Sequence, residues 1–393
     1  MTWGFPQGEE LAPSELSITE GNVNSVRHEA GDWQEAALPT APIGPLPLPA
    51  ARGWAWRVIQ WPPCRLVVAL VWMLATLWAG TKLLGVLPRE GPPGGAAQRL
   101  GSTATLLILG YIAYLLYARV VEWRRAGELS LVGAGGELAV GALTGFGLMA
   151  IAVGVEWLAG LYHVVGSNSL AVVLVPVLVL SAFSGFFEEL LLRVIFFRIL
   201  EEPLGTGWAL ALSSVVFGLL HLRNPHAGVI STVSIVAAGV LLGAAFAVTR
   251  RIWFAAGLHG AWNFTQGGIF GVPVSGFAVR GLLRGSLNGP ETLSGGVFGI
   301  EGSPVAVVLC VAAATVLLRM AVLRHRTVRP IWARGTAHAQ APQAQAAVPP
   351  PPPPAASDIG SPAPAASEAP ASAAAAAGEA SVPPGAQEGP EAP

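Results

Sequence analysis

Three charged side chains lie within a stretch of otherwise apolar residues, FFEELLLR, at positions 186–193. Glu189 and Arg193 are four residues apart, so on a helix they share one face and can form an ion pair. Glu188 is rotated by about 100° from its neighbour, and Leu192 rather than a base stands four residues after it. A spare carboxylate of this kind can take a proton from water and so begin a hydrolysis. A purely structural ion pair explains the same three residues equally well.

Two further apolar stretches carry hydrogen-bonding side chains at the same spacing. FGLLH places Phe217 and His221 on one helical face, and HGAWN places His259 and Asn263 on another. A lone histidine at a helix end is more often structural than catalytic, but two polar side chains on one apolar helix rarely face lipid. If the helices converge, His221 can orient the water that Glu188 deprotonates. His259 and Asn263 can then stabilise the oxyanion that forms when a carbonyl is attacked.

The composition indicates a polytopic membrane protein. Of the 393 residues, 53% are hydrophobic and only 11% are charged, unlike an ordinary soluble domain. A net charge of −1 gives no support to nucleic-acid binding, which needs a basic surplus. The two cysteines, Cys64 and Cys310, form neither a disulfide framework nor a metal knuckle.

The length of the apolar runs predicts the helices that must position these residues. About 20 mostly apolar residues are needed to cross the hydrocarbon core, and this criterion predicts an all-α fold, a transmembrane bundle of about eight helices. They are predicted at 63–88, 102–123, 136–160, 169–200, 206–222, 228–249, 252–270 and 303–323. The short fifth and seventh helices each carry a histidine, and short spans need surrounding protein rather than lipid. Gly239 and Gly243 on the sixth predict close packing against a neighbour.

Three regions are predicted along the chain. Residues 1–50 are rich in Pro, Gly, Ser and acidic residues, and this composition predicts a disordered tail. The same residues lack the basic and apolar pattern of a signal peptide. Residues 335–393 are mostly Ala, Pro, Ser, Gln and Glu, and predict a second disordered tail because this composition cannot bury a core. Residues 51–334 form the predicted transmembrane domain, with a catalytic core at about 169–302. The Pro-rich tail could recruit a protein partner.

The distribution of basic residues predicts that both termini are cytoplasmic. Arginines cluster at alternate ends of the predicted helices, and such clusters mark the cytoplasmic side. They are Arg52, Arg57, Arg65, Arg124, Arg125, Arg198, Arg250, Arg251, Arg324, Arg326 and Arg329.

The three polar stretches resemble the motifs of a known family. EELLLR, FGLLH and HGAWN are similar, in order and spacing, to the EExxxR, FxxxH and HxxxN motifs of the CPBP intramembrane proteases. This family includes the type II CAAX prenyl endopeptidases and bacteriocin-immunity-related proteins. The resemblance covers roughly residues 171–263. The stretch NFTQGGIFGVPVSGF, followed by GGVFGIEGSP, looks like the glycine-rich extension after the third motif in a bacterial branch of the family, and it overlaps the glycine-rich loop 271–302. From the sequence alone this loop could be a lid over the site or a floppy exterior segment.

The resemblance implies a role for each motif residue. Glu188 matches the catalytic glutamate, and His221 matches the histidine that acts with it on water. His259 and Asn263 match the pair assigned to oxyanion stabilisation. Glu189 and Arg193 match the supporting acid and base. One departure is Leu192, where the family often has an aromatic residue; we expect this to alter packing rather than chemistry.

A metal requirement is left open by the resemblance. Family members are often labelled metalloproteases, and Glu188, His221 and His259 could supply three zinc ligands from separate helices. The sequence contains no HExxH, which would place two ligands and a base on one helix. Metal-free, glutamate-driven hydrolysis is the favoured prediction, with no cofactor.

The favoured function is an intramembrane endopeptidase of the CPBP type, acting on a membrane-associated protein or peptide within the lipid bilayer. The bacterial character of the loop and tails predicts a bacterial plasma membrane and removes the expected prenylated clients. A transporter is an alternative because polar residues at membrane depth also line ion paths, but no inverted repeat is visible. A non-catalytic scaffold is another, and the complete motif set argues against it.

Overall fold

The computed structural model describes residues 53–84 and 95–334. The two predicted disordered tails, residues 1–50 and 335–393, lie outside the described residues. Within the described ranges the chain is helical except for one two-stranded sheet and its loops, so the predicted all-α fold class is confirmed. Six helical stretches among these described residues are long and apolar enough to cross a membrane.

The elements follow one another along the chain with short connections. They are α1 Trp54–Gln60, α2 Pro62–Leu84, α3 Ala96–Val120, α4 Ala134–Leu158, β1 Tyr162–Ser167, α5 Leu170–Phe183, α6 Arg198–His221, α7 Val229–Thr249, α8 Ile252–Asn263, β2 Leu283–Leu287, α9 Glu291–Ser294 and α10 Pro304–Leu323. Two π-helical segments, Ser184–Glu188 and Leu190–Phe197, connect α5 to α6, and a third, Phe264–Ile269, extends α8. Short 3-10 turns lie at Gly127–Leu129, Gly296–Phe298, Ile300–Gly302 and Ile331–Ala333.

The predicted helices are present, with ends shifted by a few residues, and the predicted break between the fourth and fifth is a kink. Gly205 interrupts α6 with a φ of 75° and a ψ of 168°. Only glycine adopts this conformation without strain. A Cβ atom there would also lie 2.7 Å from the Pro330 nitrogen and 2.8 Å from the Val328 oxygen. The kink therefore lets the segment after α10 pack directly against the α6 backbone.

Small residues hold α7 close to α6, as the sequence predicts. A Cβ atom on Gly239 would lie 2.9 Å from the Cα of Ser214, and one on Gly243 would overlap the Leu210 side chain. The close approach brings the Gly239 carbonyl within hydrogen-bond reach of Arg193, whose Nη2 donates to it at 3.1 Å. The helices that carry the first two motifs are thereby fixed to α7.

The short helix α8 is enclosed by protein. Most of its residues are buried, including His259 and Asn263. Glycines at the contact let the backbones of α4 and α8 touch, because a Cβ atom on Gly257 would overlap the Leu138 carbonyl. The expectation that a short span survives within surrounding protein is met.

Arginines that were expected to mark the cytoplasmic side meet at one end of the bundle. Glu122 lies 2.5 Å from Arg198, 2.7 Å from Arg124 and 3.3 Å from Arg65. Burial by itself would raise the pKa of Glu122, but these three guanidinium groups outweigh it and lower the pKa to about 2. The shared location agrees with a common side for these arginines, and the identity of that side stays a prediction.

The glycine-rich loop 271–302 is a built part of the fold. Its strand β2 pairs antiparallel with β1, from Tyr162 opposite Leu287 to Ser167 opposite Leu283. The remainder returns through α9 and two 3-10 turns to the start of α10. The loop is therefore a structured segment and not a floppy exterior one.

Candidate active site

The first motif lies where the helix changes from α to π geometry. Glu188 ends one π-helical segment, and Glu189 joins it to the next. A regular α-helix was expected here; wider π turns occur mostly as local bulges and are frequent at functional sites. The two carboxylates still point to different surroundings, because Glu189 is completely buried whereas the Glu188 side chain is 34% exposed.

Glu189 connects the first and third motifs. Its Oε1 atom accepts hydrogen bonds from Arg193 Nη1 at 3.1 Å and from His259 Nδ1 at 2.9 Å. The expected ion pair between Glu189 and Arg193 is therefore present. Because the carboxylate is the acceptor, the proton of His259 lies on Nδ1 when the ring is neutral, and Nε2 faces Glu188.

The second motif orients His221 through its own helix. His221 Nδ1 lies 2.8 Å from the Phe217 carbonyl oxygen, which can only accept, so Nδ1 carries a proton and Nε2 is directed into the site. The Phe217 ring also packs edge-on against both imidazoles, with centroids 4.5 Å from His221 and 5.9 Å from His259. Arg193 lies over that ring at 4.7 Å. The phenylalanine of FGLLH is thus a spacer that both histidines share.

Two histidines flank one carboxylate oxygen. Glu188 Oε2 lies 3.9 Å from His221 Nε2 and 4.0 Å from His259 Nε2. These separations exceed a direct hydrogen bond and match the span that one bridging water covers. The three side chains come from three separate helical elements, as the sequence requires of a hydrolytic centre.

Asn263 is held beside this group by a hydroxyl. Its Nδ2 atom donates to Ser184 Oγ at 2.8 Å, and Ser184 Oγ lies 3.4 Å from the Ser181 carbonyl oxygen. Ser184 was not singled out from the sequence. The available signal was its position four residues before Glu188, which places both side chains on one helical face.

Two cavities adjoin at the motif residues. The outer cavity has a volume of about 270 Å³ and contains Glu188, His221 and Asn263 in its lining. The inner one has a volume of about 20 Å³ and is lined by His221, His259 and Asn263, together with Glu301 from the glycine-rich loop. The structure therefore brings all four predicted catalytic side chains together. Glu301 is the member of this lining that the sequence analysis did not assign to the site.

The zinc alternative gains no support from the described side chains. Glu188, His221 and His259 are donor types that zinc accepts. Among the described residues, however, no three His, Cys, Asp or Glu side chains are grouped so as to hold a metal ion. The label metalloprotease gains no support, and no chemical step below passes through a metal.

Comparison with known proteins agrees with the motifs. Residues 168–265 match the model of the Rce1-like family, described as type II CAAX prenyl endopeptidase Rce1-like. No curated protein and no solved structure matches the chain. The matched range contains all seven motif residues, and the six apolar stretches among the described residues make the chain an integral membrane protein. The resemblance seen in the three motifs is confirmed by this match: residues 168–265 of the chain are similar to the Rce1-like family of type II CAAX prenyl endopeptidases.

Proposed function

We propose that this protein is an intramembrane endopeptidase in which Glu188 activates water to hydrolyse a peptide bond of a membrane-associated substrate. The observation that carries the proposal is the position of Glu188 Oε2, between the Nε2 atoms of His221 and His259 at 3.9 and 4.0 Å. A carboxylate with two imidazoles at this range can hold, deprotonate and aim one water molecule. The Rce1-like match supports the same class of reaction.

The proposed reaction assigns one task to each polar group. His221 accepts a hydrogen bond from the water through its unprotonated Nε2, while Glu188 takes the proton as the water oxygen attacks the substrate carbonyl. Glu189 stabilises the imidazolium form of His259, so that His259 can donate from Nε2 to the oxyanion together with Asn263. Glu188 then delivers its proton to the leaving amine as the C–N bond breaks.

The walls of the outer cavity favour an apolar peptide. Leucines and aromatic residues surround the polar group; they are Leu180, Leu191, Leu192, Leu220, Phe217 and Phe277. An extended substrate segment with apolar side chains would bury them here without leaving charged groups unpaired. We propose an unmodified membrane-associated polypeptide, in a bacterial plasma membrane, with both termini of the enzyme cytoplasmic.

A comparison of membrane polypeptides tests the proposal. Cells carrying the wild-type protein and cells carrying Glu188→Gln are compared by quantitative proteomics of their membranes. Uncleaved membrane polypeptides should accumulate with the variant, because the amide cannot take a proton from water. Glu291→Gln, at an exposed acid of the same chain, is the control and should leave the profile unchanged.

Two outcomes count against the proposal. If the membrane profiles of wild-type and Glu188→Gln cells are the same, Glu188 performs no hydrolysis and the scaffold alternative gains. If purified protein contains stoichiometric zinc and a chelator abolishes cleavage, the metal-free mechanism is wrong.

A further inference from the structure

Glu301 is a buried acid at the site that the proposed reaction does not use. It lies in the 3-10 turn Ile300–Gly302, directly before α10, and is 5% exposed. It lines the inner cavity with His221, His259 and Asn263. The glycine-rich loop thus contributes a carboxylate to the group formed by the three motifs.

The contacts of Glu301 are directed at one turn of the chain. Its Oε1 atom accepts a hydrogen bond from the backbone N–H of Ser275. The carbonyl oxygen of Ser275 accepts from Asn224 Nδ2 at 3.1 Å. Glu301 is itself anchored, because its backbone oxygen accepts from Ser234 Oγ on α7. Both backbone polar groups of Ser275 are therefore bound by side chains from other parts of the fold.

The turn at Ser275 needs such support. Ser275 has a φ of 48°, a left-handed conformation that is unfavourable for a residue with a side chain. Gly276 follows with a φ of 83°, and a Cβ atom there would overlap the carbonyl oxygen of Pro225. A backbone N–H in this tight turn is costly to leave without an acceptor.

This turn forms one wall of the outer cavity. Val274, Ser275 and Phe277 line it together with Glu188. A substrate peptide in this cavity would therefore lie beside both the turn and the catalytic carboxylate. Displacement of Ser275 would change the position of the scissile bond, and misplacement by about 1 Å can cost roughly 100-fold in rate.

We infer that Glu301 is a positioning residue that fixes the turn 274–277 as one wall of the cavity that contains Glu188, by accepting the Ser275 N–H. Its catalytic consequence rests on the proposed function, whereas the anchoring of the turn does not. Burial raises the pKa of Glu301, although the Ser275 hydrogen bond and the nearby imidazoles lower it. A neutral carbonyl oxygen can accept the same backbone N–H. A glutamine at position 301 should consequently keep the turn anchored, whereas an alanine should not.

Hydrogen exchange tests the anchoring directly. Full-length wild-type protein, Glu301→Gln, Glu301→Ala and the control Glu291→Ala are purified in detergent micelles and compared by mass spectrometry. Peptides that contain residues 274–277 should exchange about tenfold faster in Glu301→Ala, because one protecting hydrogen bond is lost. Glu301→Gln and Glu291→Ala should exchange like the wild type. Unchanged exchange in Glu301→Ala, or equally fast exchange in Glu301→Gln, would overturn the inference.

Cleavage kinetics test the consequence for catalysis. The substrate is the membrane polypeptide that accumulates in Glu188→Gln cells. Glu301→Ala should lower kcat by about 10- to 100-fold with a smaller change in KM, and Glu301→Gln should restore kcat to within about threefold. Wild-type kcat in Glu301→Ala would overturn the positioning role. Faster exchange in Glu301→Ala combined with no cleavage by the wild type would uphold the anchoring and refute the proposed function.

Discussion

At the residue scale, the two adjacent glutamates are distinguished by their partners. Glu189 is completely buried and shared between Arg193 and His259, whereas Glu188 has no direct hydrogen bond to either histidine. Substitution by glutamine therefore has different costs at the two positions. Removal of one member of a buried ion pair leaves the other charge uncompensated, but removal of a partly exposed carboxylate that makes no direct hydrogen bond to either histidine does not.

Glu189→Gln is expected to destabilise the protein, and Glu188→Gln to inactivate it without unfolding. We expect Glu189→Gln to lower the free energy of unfolding by roughly 3 kcal/mol, because Arg193 stays buried without its counter-ion. Thermal unfolding in detergent, followed by tryptophan fluorescence, measures the effect. A Tm for Glu188→Gln within about 2 °C of the wild type is the matched control. Equal Tm values for the two variants would contradict the division of roles.

Loss of the Asn263 amide should lower kcat more than loss of the Ser184 hydroxyl. Asn263→Ala removes a proposed oxyanion donor and should lower kcat by roughly 100- to 1,000-fold. Ser184→Ala removes only the acceptor that orients the amide, so we expect a loss of about tenfold. Steady-state cleavage rates decide this. A larger loss for Ser184→Ala than for Asn263→Ala would show that the hydroxyl, not the amide, contacts the reacting group.

The spacing of residues along the sequence predicts some of these contacts and not others, for a physical reason. Pairs at i and i+4, such as Glu189 with Arg193, are local, so a helix alone determines their contact. Glu301 reaches the site through a loop and binds a backbone N–H, and neither feature leaves a periodic signal. Its contact depends on the turn at Ser275, 26 residues earlier in the chain, which is a tertiary property.

At the element scale, a helix boundary that was inferred from composition has a structural cause. The predicted gap between residues 200 and 206 contains Gly205, whose left-handed φ kinks α6. The π-helical segments around Glu188 could not be predicted, since an apolar run has the same composition in α and π geometry. The hydrophobic pattern therefore predicts where the helices lie, whereas the local π geometry that orients Glu188 depends on packing.

The kink at Gly205 yields a test with an internal control. Gly205→Ala places a Cβ atom against the backbone of residues 328–330 in a left-handed conformation, and we expect a loss of roughly 1–3 kcal/mol in stability. Gly207→Ala lies in the same helix, where a Cβ atom meets nothing within 4 Å. It should be neutral or stabilising by up to about 1 kcal/mol. Chemical denaturation in mixed micelles measures both. Equal stability of the two variants would mean that the turn at Gly205 carries no constraint.

At the scale of the whole molecule, apolar helices are tied together by buried charge. The sequence predicted the membrane domain from its composition, because about 20 apolar residues per helix leave little else possible. It treated the arginines as signals of topology only. In the fold, Arg65, Arg124 and Arg198 surround Glu122, and this could not be foreseen because the acids and bases come from distant segments of the chain.

The charge cluster predicts how stability depends on pH. The pKa of Glu122 in the folded protein is lowered to about 2, below its value of about 4.3 in an unfolded chain. The ionised Glu122 carboxylate therefore contributes fully to the free energy of unfolding above about pH 4.5, and this contribution is lost as the pH falls toward 2. The difference between the folded and unfolded pKa values corresponds to roughly 3 kcal/mol in the free energy of unfolding. The loss of this contribution should accordingly lower the Tm in detergent as the pH drops below about 4.5.

Glu122→Gln separates this cluster from the other carboxylates. The variant should have a lower Tm than the wild type at pH 7, and the difference between the two should shrink as the pH falls from 4.5 to 2, because protonation removes the same charge from the wild type. Glu291→Gln, at an exposed acid, should follow the wild-type curve at every pH. A Tm difference between wild type and Glu122→Gln that is independent of pH would show that the carboxylate acts through packing, and the three arginines would then need another counter-charge to stay buried at this end of the bundle.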